Sequence, residues 1–255
     1  MNRLLSLFER KNQNILNVYC TAGYPKPDST MEVMTALEAA GADIIELGMP
    51  YSDPLADGPV IQHSSSIALE NGMTISKLFD QLRGFRQQVH IPVILMGYMN
   101  PVLQFGFENF CKQAAAVAVD GLILPDLPMY EFENEYGPVI QRYGLSFIFL
   151  VTPETSEERI RKIDQLSTGF IYAVSSSATT GSATDMDAVD VYLQRLKKMN
   201  LKNPVLVGFG IKDRSSFQAA CKHTNGAIIG SAYIRELGQG GSVGDITSKF
   251  LQEIL

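Results

Sequence analysis

One pattern repeats along this chain: a short apolar run, a polar turn, then a stretch with apolar side chains at helical spacing. The runs fall at 16–20, 43–47, 92–96, 120–124, 146–151, 169–174, 204–208 and 226–230. They are too short for helices, and polar residues do not alternate through them, as expected of strands buried on both faces of a parallel sheet. Helical faces lie between them. Val33, Ala36, Leu37 and Ala40 form the first, with Gly41 as its stop. Ile75, Leu78, Phe79 and Leu82 follow behind a Thr74 cap, and Phe107, Phe110, Cys111 and Ala114 come next. Gly137-Pro138 interrupts the fourth, and Thr155 with Glu158 forms a capping box ahead of Ile160 and Ile163. Val189, Tyr192, Leu193 and Leu196 mark the sixth, Asp213 caps the seventh, and Ser231 opens a short helix after the eighth run. Ile246, Phe250 and Ile254 give the chain an amphipathic end. Eight strand–helix units with right-handed crossovers close into a single-domain (β/α)8 TIM barrel covering 1–255. A doubly wound open sheet has the same local pattern and is the alternative; the count of eight favours the barrel.

Several function classes drop out on composition. Net charge is −6 and no Lys/Arg cluster is interleaved with aromatics, so no nucleic-acid surface is expected. The first ten residues are too short and too charged for a secretory signal, and no apolar run approaches bilayer length. Cys20, Cys111 and Cys221 are odd in number, far apart and each in an apolar context. They read as reduced core thiols of a cytoplasmic protein.

In such barrels the working groups sit at the C-terminal ends of the strands. Those ends carry Tyr19 and Thr21, then Glu46, Tyr98 and Asn100, Asp126, Tyr172, Gly208-Phe209-Gly210, and Gly230-Ser231. The second is the densest. From Glu46 to Gln62 the chain reads ELGMPYSDPLADGPVIQ, with Glu46, Asp53 and Asp57 inside twelve residues of a loop stiffened by proline and glycine. A carboxylate at the end of a buried strand is costly to desolvate unless it is paired or used. The bland reading makes Glu46 a salt-bridge partner and the two aspartates turn formers. The last two strand ends suggest an anion site. Glycine lets the backbone approach a phosphate, and a helix opening at Ser231 aims free N–H groups and its positive dipole end at it. Barrels bind phosphate between the loops after strands seven and eight. The small polar loop around Gly181 adds to this cradle, and no Lys or Arg is required.

No lysine falls inside the barrel to form a Schiff base; Lys212 lies just beyond strand seven. His63, His90 and His223 have no metal-ligand spacing, and no Ser-His-Asp arrangement is evident. What remains is a carboxylate pair, an aromatic-lined cavity (Tyr19, Tyr98, Tyr172, Phe209 and Met96) and a phosphate cradle. That set suits cofactor-free acid–base chemistry on an aromatic phosphate ester.

The long motif from Glu46 to Gln62 resembles the signature of the tryptophan synthase α-subunit family. The likeness runs along nearly the whole chain, through Thr180-Gly181, Gly208-Phe209-Gly210-Ile211 and Gly230-Ser231-Ala232. The resemblance implies a barrel lyase of tryptophan biosynthesis that cleaves indole-3-glycerol phosphate to indole and glyceraldehyde 3-phosphate. It also implies a β-subunit partner in an α2β2 heterotetramer, which receives the indole through a channel and alone carries pyridoxal phosphate. By position it makes Glu46 and Asp57 the catalytic pair and Gly181, Gly210, Gly230 and Ser231 the phosphate binders. Tyr19, Tyr98, Tyr172, Thr180 and Phe209 are then pocket residues, and no metal is expected. The chain departs from the family at Ser176-Ser177-Ala178, in the loop after strand six. Two other readings stay open: another phosphate-binding barrel, such as an isomerase or synthase acting on a related anthranilate or glycerol phosphate ester, and a non-catalytic barrel kept as a partner's allosteric subunit. The segments 50–59 and around Asn100-Pro101 share the active-site face and are candidate partner contacts.

Overall fold

The computed structural model describes residues 2–175, 186–208 and 210–255. Its strands are all parallel: β1 (Ile15–Thr21), β2 (Ile44–Gly48), β3 (Val93–Met96), β4 (Gly121–Ile123), β5, β6 (Ile171–Val174), β7 (Val205–Gly208) and β8 (Gly226–Ile229). The fifth is one run in two pieces, Ser146–Phe147 against β4 and Leu150–Val151 against β6. Between them Ile148 N donates to Leu122 O, and Tyr172 N donates to Phe149 O, so the run spans the two edges and the sheet closes. Neighbours follow chain order around the ring, with β8 beside β1. The eight expected strands are therefore present, each within a residue or two of its expected place.

β1 and β2 are buried at every position, as befits a sheet packed on both faces. Side-chain alternation then sorts the inside from the outside. Ile15, Ile44, Ile94, Ile123, Ile148, Phe170, Leu206 and Ile228, one from each strand or its immediate flank, meet in a single inner cluster. Leu4 and Leu7 of an N-terminal helix, Arg3–Arg10, join that cluster from below, with Phe8 tilted against Phe170 at 6.1 Å. Asn2 caps this helix at Leu4 N and ties it to Asp120 O and Ser146 Oγ. The helix closes the N-terminal end with apolar side chains, so open polar chemistry is left to the other end.

Helical assignments differ from expectation in places. Ser156, not Thr155, caps the helix Glu157–Leu166, since its hydroxyl accepts from Arg159 N. Thr155 Oγ1 instead accepts from Thr152 N in the preceding turn. Gly137-Pro138 does not break its helix. A π turn, Phe132–Tyr136, runs into Gly137–Arg142, with the proline in the first turn of the α-helical part. Thr74 and Asp213 cap as expected, Asp213 within a reciprocal box with Ser216. The three cysteines are buried and free.

Candidate active site

Two residues above the apolar floor, the inward positions change character. Asn17, Tyr19 and Thr21 rise along β1, and Tyr19 pairs in register with Glu46 of β2. Tyr172 faces them from β6. Both tyrosines need glycines beside them: a Cβ on Gly48 would fall 2.0 Å from Tyr19 Oη, and one on Gly208 would fall 2.6 Å from Tyr172 Oη. Glycine at the end of strand seven thus serves a tyrosine, beyond any part in binding phosphate.

Glu46 is only 1% exposed. Asn17 Nδ2 donates to its Oε2 at 2.8 Å, and no cation pairs with it among the described residues. Burial pushes its carboxyl up to about 8; the Asn17 hydrogen bond works against this rise, and the nearby charge of Asp57 adds to it. Asp57 is half-buried in the loop after β2. Burial raises it to about 6, opposed by a hydrogen bond from the Tyr98 hydroxyl. That hydroxyl also accepts from Ala56 N at 3.0 Å, so Tyr98 fastens the loop by both neighbours. Tyr51 leans on Tyr98 at 5.4 Å and accepts from Asn100 Nδ2 at 3.0 Å. Burial, reinforced by the two acids, holds Tyr19 and Tyr172 neutral, with pKa values well above the ordinary tyrosine value.

The glycine rim lies beside this group. The site a Cβ of Gly230 would take is 3.5 Å from Tyr19 Cβ and 3.4 Å from Ile61 Cδ1. The helix Ser231–Gly238 opens at the expected residue, and among the described residues no side chain caps it, as suits N–H groups that meet an anion. Gly210 adopts a positive φ of 37° in open space. Glu46, Asp57, Tyr19, Tyr98, Tyr172, Gly210, Gly230 and Ser231 therefore all lie at the C-terminal mouth. Thr180, Gly181 and Phe209 lie outside the described residues, as does Ser176-Ser177-Ala178. Asp126, a strand end in the sequence, is a helix cap: both its oxygens accept from Met99 N at 3.0 Å. His63 and His90 are exposed, and His223 lies 2.9 Å from Asp190 Oδ1. Sequence reasoning missed Asn17 and Ile61. For Asn17 the signal was there, as a polar residue two positions before Tyr19 and thus on the same inward face.

A closed (β/α)8 barrel with two acids of raised pKa under a glycine rim defines a class, the barrel enzymes that move protons at their C-terminal mouth. Comparison with known proteins narrows it. The family model for the tryptophan synthase alpha chain matches residues 5–252. The tryptophan synthase alpha chain of Flavobacterium psychrophilum is 50% identical over 255 residues, 100% of both chains. That of Flavobacterium johnsoniae is 51% identical over 243 residues, 95% of this chain and 96% of its own. Among solved structures, tryptophan synthase subunit alpha of Legionella pneumophila superposes with a TM-score of 0.88 at 34% identity, covering 100% of this chain and 98% of that one. A chain of tryptophan synthase from M. tuberculosis, in its aminoacrylate-bound form, gives 0.86 at 30% identity with both chains fully covered. The chain belongs to the tryptophan synthase alpha chain family. Its function is that of the α subunit, the lyase component that releases indole from indole-3-glycerol phosphate in tryptophan biosynthesis for a β subunit to use.

Proposed function

We propose that Glu46 and Asp57 carry the retro-aldol cleavage of indole-3-glycerol phosphate in one barrel-mouth site, within a single domain spanning 1–255. One observation carries the reading: a buried acid, raised to about 8, within electrostatic reach of a second acid at the same strand ends. Glu46 starts protonated and gives its proton to indole C3. The Glu46 carboxylate then takes the proton of the hydroxyl on the first side-chain carbon. The bond from C3 to that carbon breaks, its electron pair returning to the ring, and the carbon leaves as the aldehyde of glyceraldehyde 3-phosphate. Asp57, ionised, accepts the indole N–H and offsets the positive charge that C3 protonation creates. Gly181, Gly210, Gly230 and Ser231 hold the phosphate through backbone N–H groups. Tyr19, Tyr98, Tyr172, Thr180 and Phe209 enclose the ring and side chain. No metal is required, and the α-subunit family works without a cofactor of its own. Pyridoxal phosphate belongs to the β subunit of an α2β2 heterotetramer, and the setting is cytoplasmic. Among the described residues no helix is long and apolar enough to cross a membrane. The direct test is purified protein with indole-3-glycerol phosphate, with and without β subunit. Indole equal to the triose phosphate formed is expected, and none under either condition would end the proposal.

A pH profile follows. Below about 6 Asp57 is protonated and cannot oppose the ring's charge; above about 8 Glu46 is ionised and has no proton to give. kcat/KM is expected to rise through the first value, level off, and fall through the second, as titration of the free enzyme by initial rates will show. A profile flat from pH 5 to 9 contradicts both assignments.

The same rim suits a contact with the β subunit. Leu55 is 91% exposed, Tyr130 74% and Leu103 46%, on the segments that follow β2, β4 and β3. Large apolar side chains so exposed around one mouth suit a docking face. Leu55→Asp is expected to weaken association with the β subunit by about 5–30-fold in a binding titration, the range of one interface anchor. Unchanged affinity would move the contact elsewhere.

A further inference from the structure

Asn17 is out of character with its surroundings. Below it on the inner side of β1 is Ile15 of the apolar floor, and above it is Tyr19 of the pocket. Its register partners on either side are Ile44 and Ile228, both in that floor. It is fully buried. Its Nδ2 donates to Glu46 Oε2 at 2.8 Å, while its Oδ1 has no hydrogen-bond partner among the described residues. A half-satisfied buried amide weakens a fold, and an apolar side chain there would leave no unpaired acceptor. What the amide supplies in return is one fixed donor beneath the acid.

We infer that Asn17 is a positioning residue for Glu46: its amide N–H holds Oε2 from below, so that Oε1 faces the mouth and carries the transferable proton. The inference rests on the role proposed for Glu46 above. An oxygen that accepts an N–H at 2.8 Å is the poorer site for a proton, so the acid's proton is directed to the other oxygen. The remaining groups facing Glu46 cannot do this. From β1 comes the Tyr19 hydroxyl, with the Cys20 thiol on the opposite face of the strand, from β6 the Tyr172 hydroxyl, and from the loop after β2 the Asp57 carboxylate. β3 contributes Ile94 in register with Glu46, which has nothing to titrate. Asp57 pushes the Glu46 carboxyl up, and the two tyrosines and the thiol are neutral. Among the described residues, only the Asn17 amide draws it down toward the range where it can both give and take a proton.

Asn17→Leu tests this, with kinetics, a pH profile and a thermal melt on the full chain. Expected are a kcat lowered about 10–100-fold, a KM within about twofold, and an alkaline limb of the rate profile displaced upward, since loss of the donor favours the neutral acid. The melt shows whether the variant folds, and a merely structural asparagine would leave the pH limb unmoved. Should Asn17→Leu not fold, Asn17→Asp keeps the shape and replaces the donor by a second carboxyl. Its alkaline limb is expected to rise further, because two acids then share the site. A folded variant with unmodified kcat and an unmoved limb overturns the inference. Glu46→Gln measured alongside separates the two levels. If it too retains turnover, the role of Glu46 falls; if it is inactive while the Asn17 variants are normal, only the role of Asn17 falls.

Discussion

Glu46→Gln is expected to lower kcat for indole release by about 10²–10⁴-fold, with KM changed by no more than a few-fold. The amide has the shape of the acid and can accept the Asn17 N–H through its oxygen, so the pocket keeps its form. It can neither give a proton to C3 nor take one from the hydroxyl, so the loss falls on the chemical step. The same substitution has a second, opposite effect. The Glu46 carboxyl titrates at about 8 in the folded chain against 4.5 for an unperturbed glutamate. Between those values the folded protein binds one more proton than the unfolded chain. Stability therefore falls as pH rises through that window, by about 1.4 kcal/mol per unit, and levels off above it. Glutamine has no such penalty. Melts of the variant and the unmodified protein should lie closest near pH 4.5, with the variant gaining steadily up to about pH 8. An inactive variant whose stability difference ignores pH would mean that Glu46 is not the neutral buried acid described here. A variant with near-unmodified kcat would remove it from the mechanism.

What the sequence carried and what it hid divide along physical lines. The strands were legible because they are buried over most of their length, so a short apolar run is a sufficient signal. The glutamate and aspartate were legible because one dense motif holds both. Helices were lost where their amphipathic period is blurred or their cap comes from elsewhere. Pro59–Glu70 buries Ser64, Ser65 and Ala68, so its inner face looks polar in sequence. Met99–Phe105 is capped by Asp126, 27 residues further on, which no local motif encodes. Arg3–Arg10 is short, and its two buried leucines gain meaning only once eight strand residues converge above them. Asn17 was hidden differently. Its neighbours made a convincing strand, and the pairing of β1 with β2 is what sets it against Glu46, 29 residues away.

Asp57→Asn is expected to reduce kcat by about 10²–10³-fold, the scale seen when one preorganised electrostatic contact to a developing charge is removed. The asparagine oxygen can still accept the indole N–H and the hydrogen bond from the Tyr98 hydroxyl, so substrate binding suffers less than turnover. What disappears is the negative charge, and the ring needs that charge only once C3 has been protonated. Two features of the pH profile identify the cause. The acid limb near 6 should vanish, because the group that titrates there is gone. The alkaline limb should move below about 8, because the charge of Asp57 is one of the forces that raise Glu46. Tyr98→Phe should displace the acid limb the other way, upward, since its hydrogen bond holds the aspartate down. If Asp57→Asn instead leaves the rate and both limbs where they were, the aspartate is a turn residue, held in its loop by the bond from Gln62 Nε2 to its carbonyl, and Glu46 works without it.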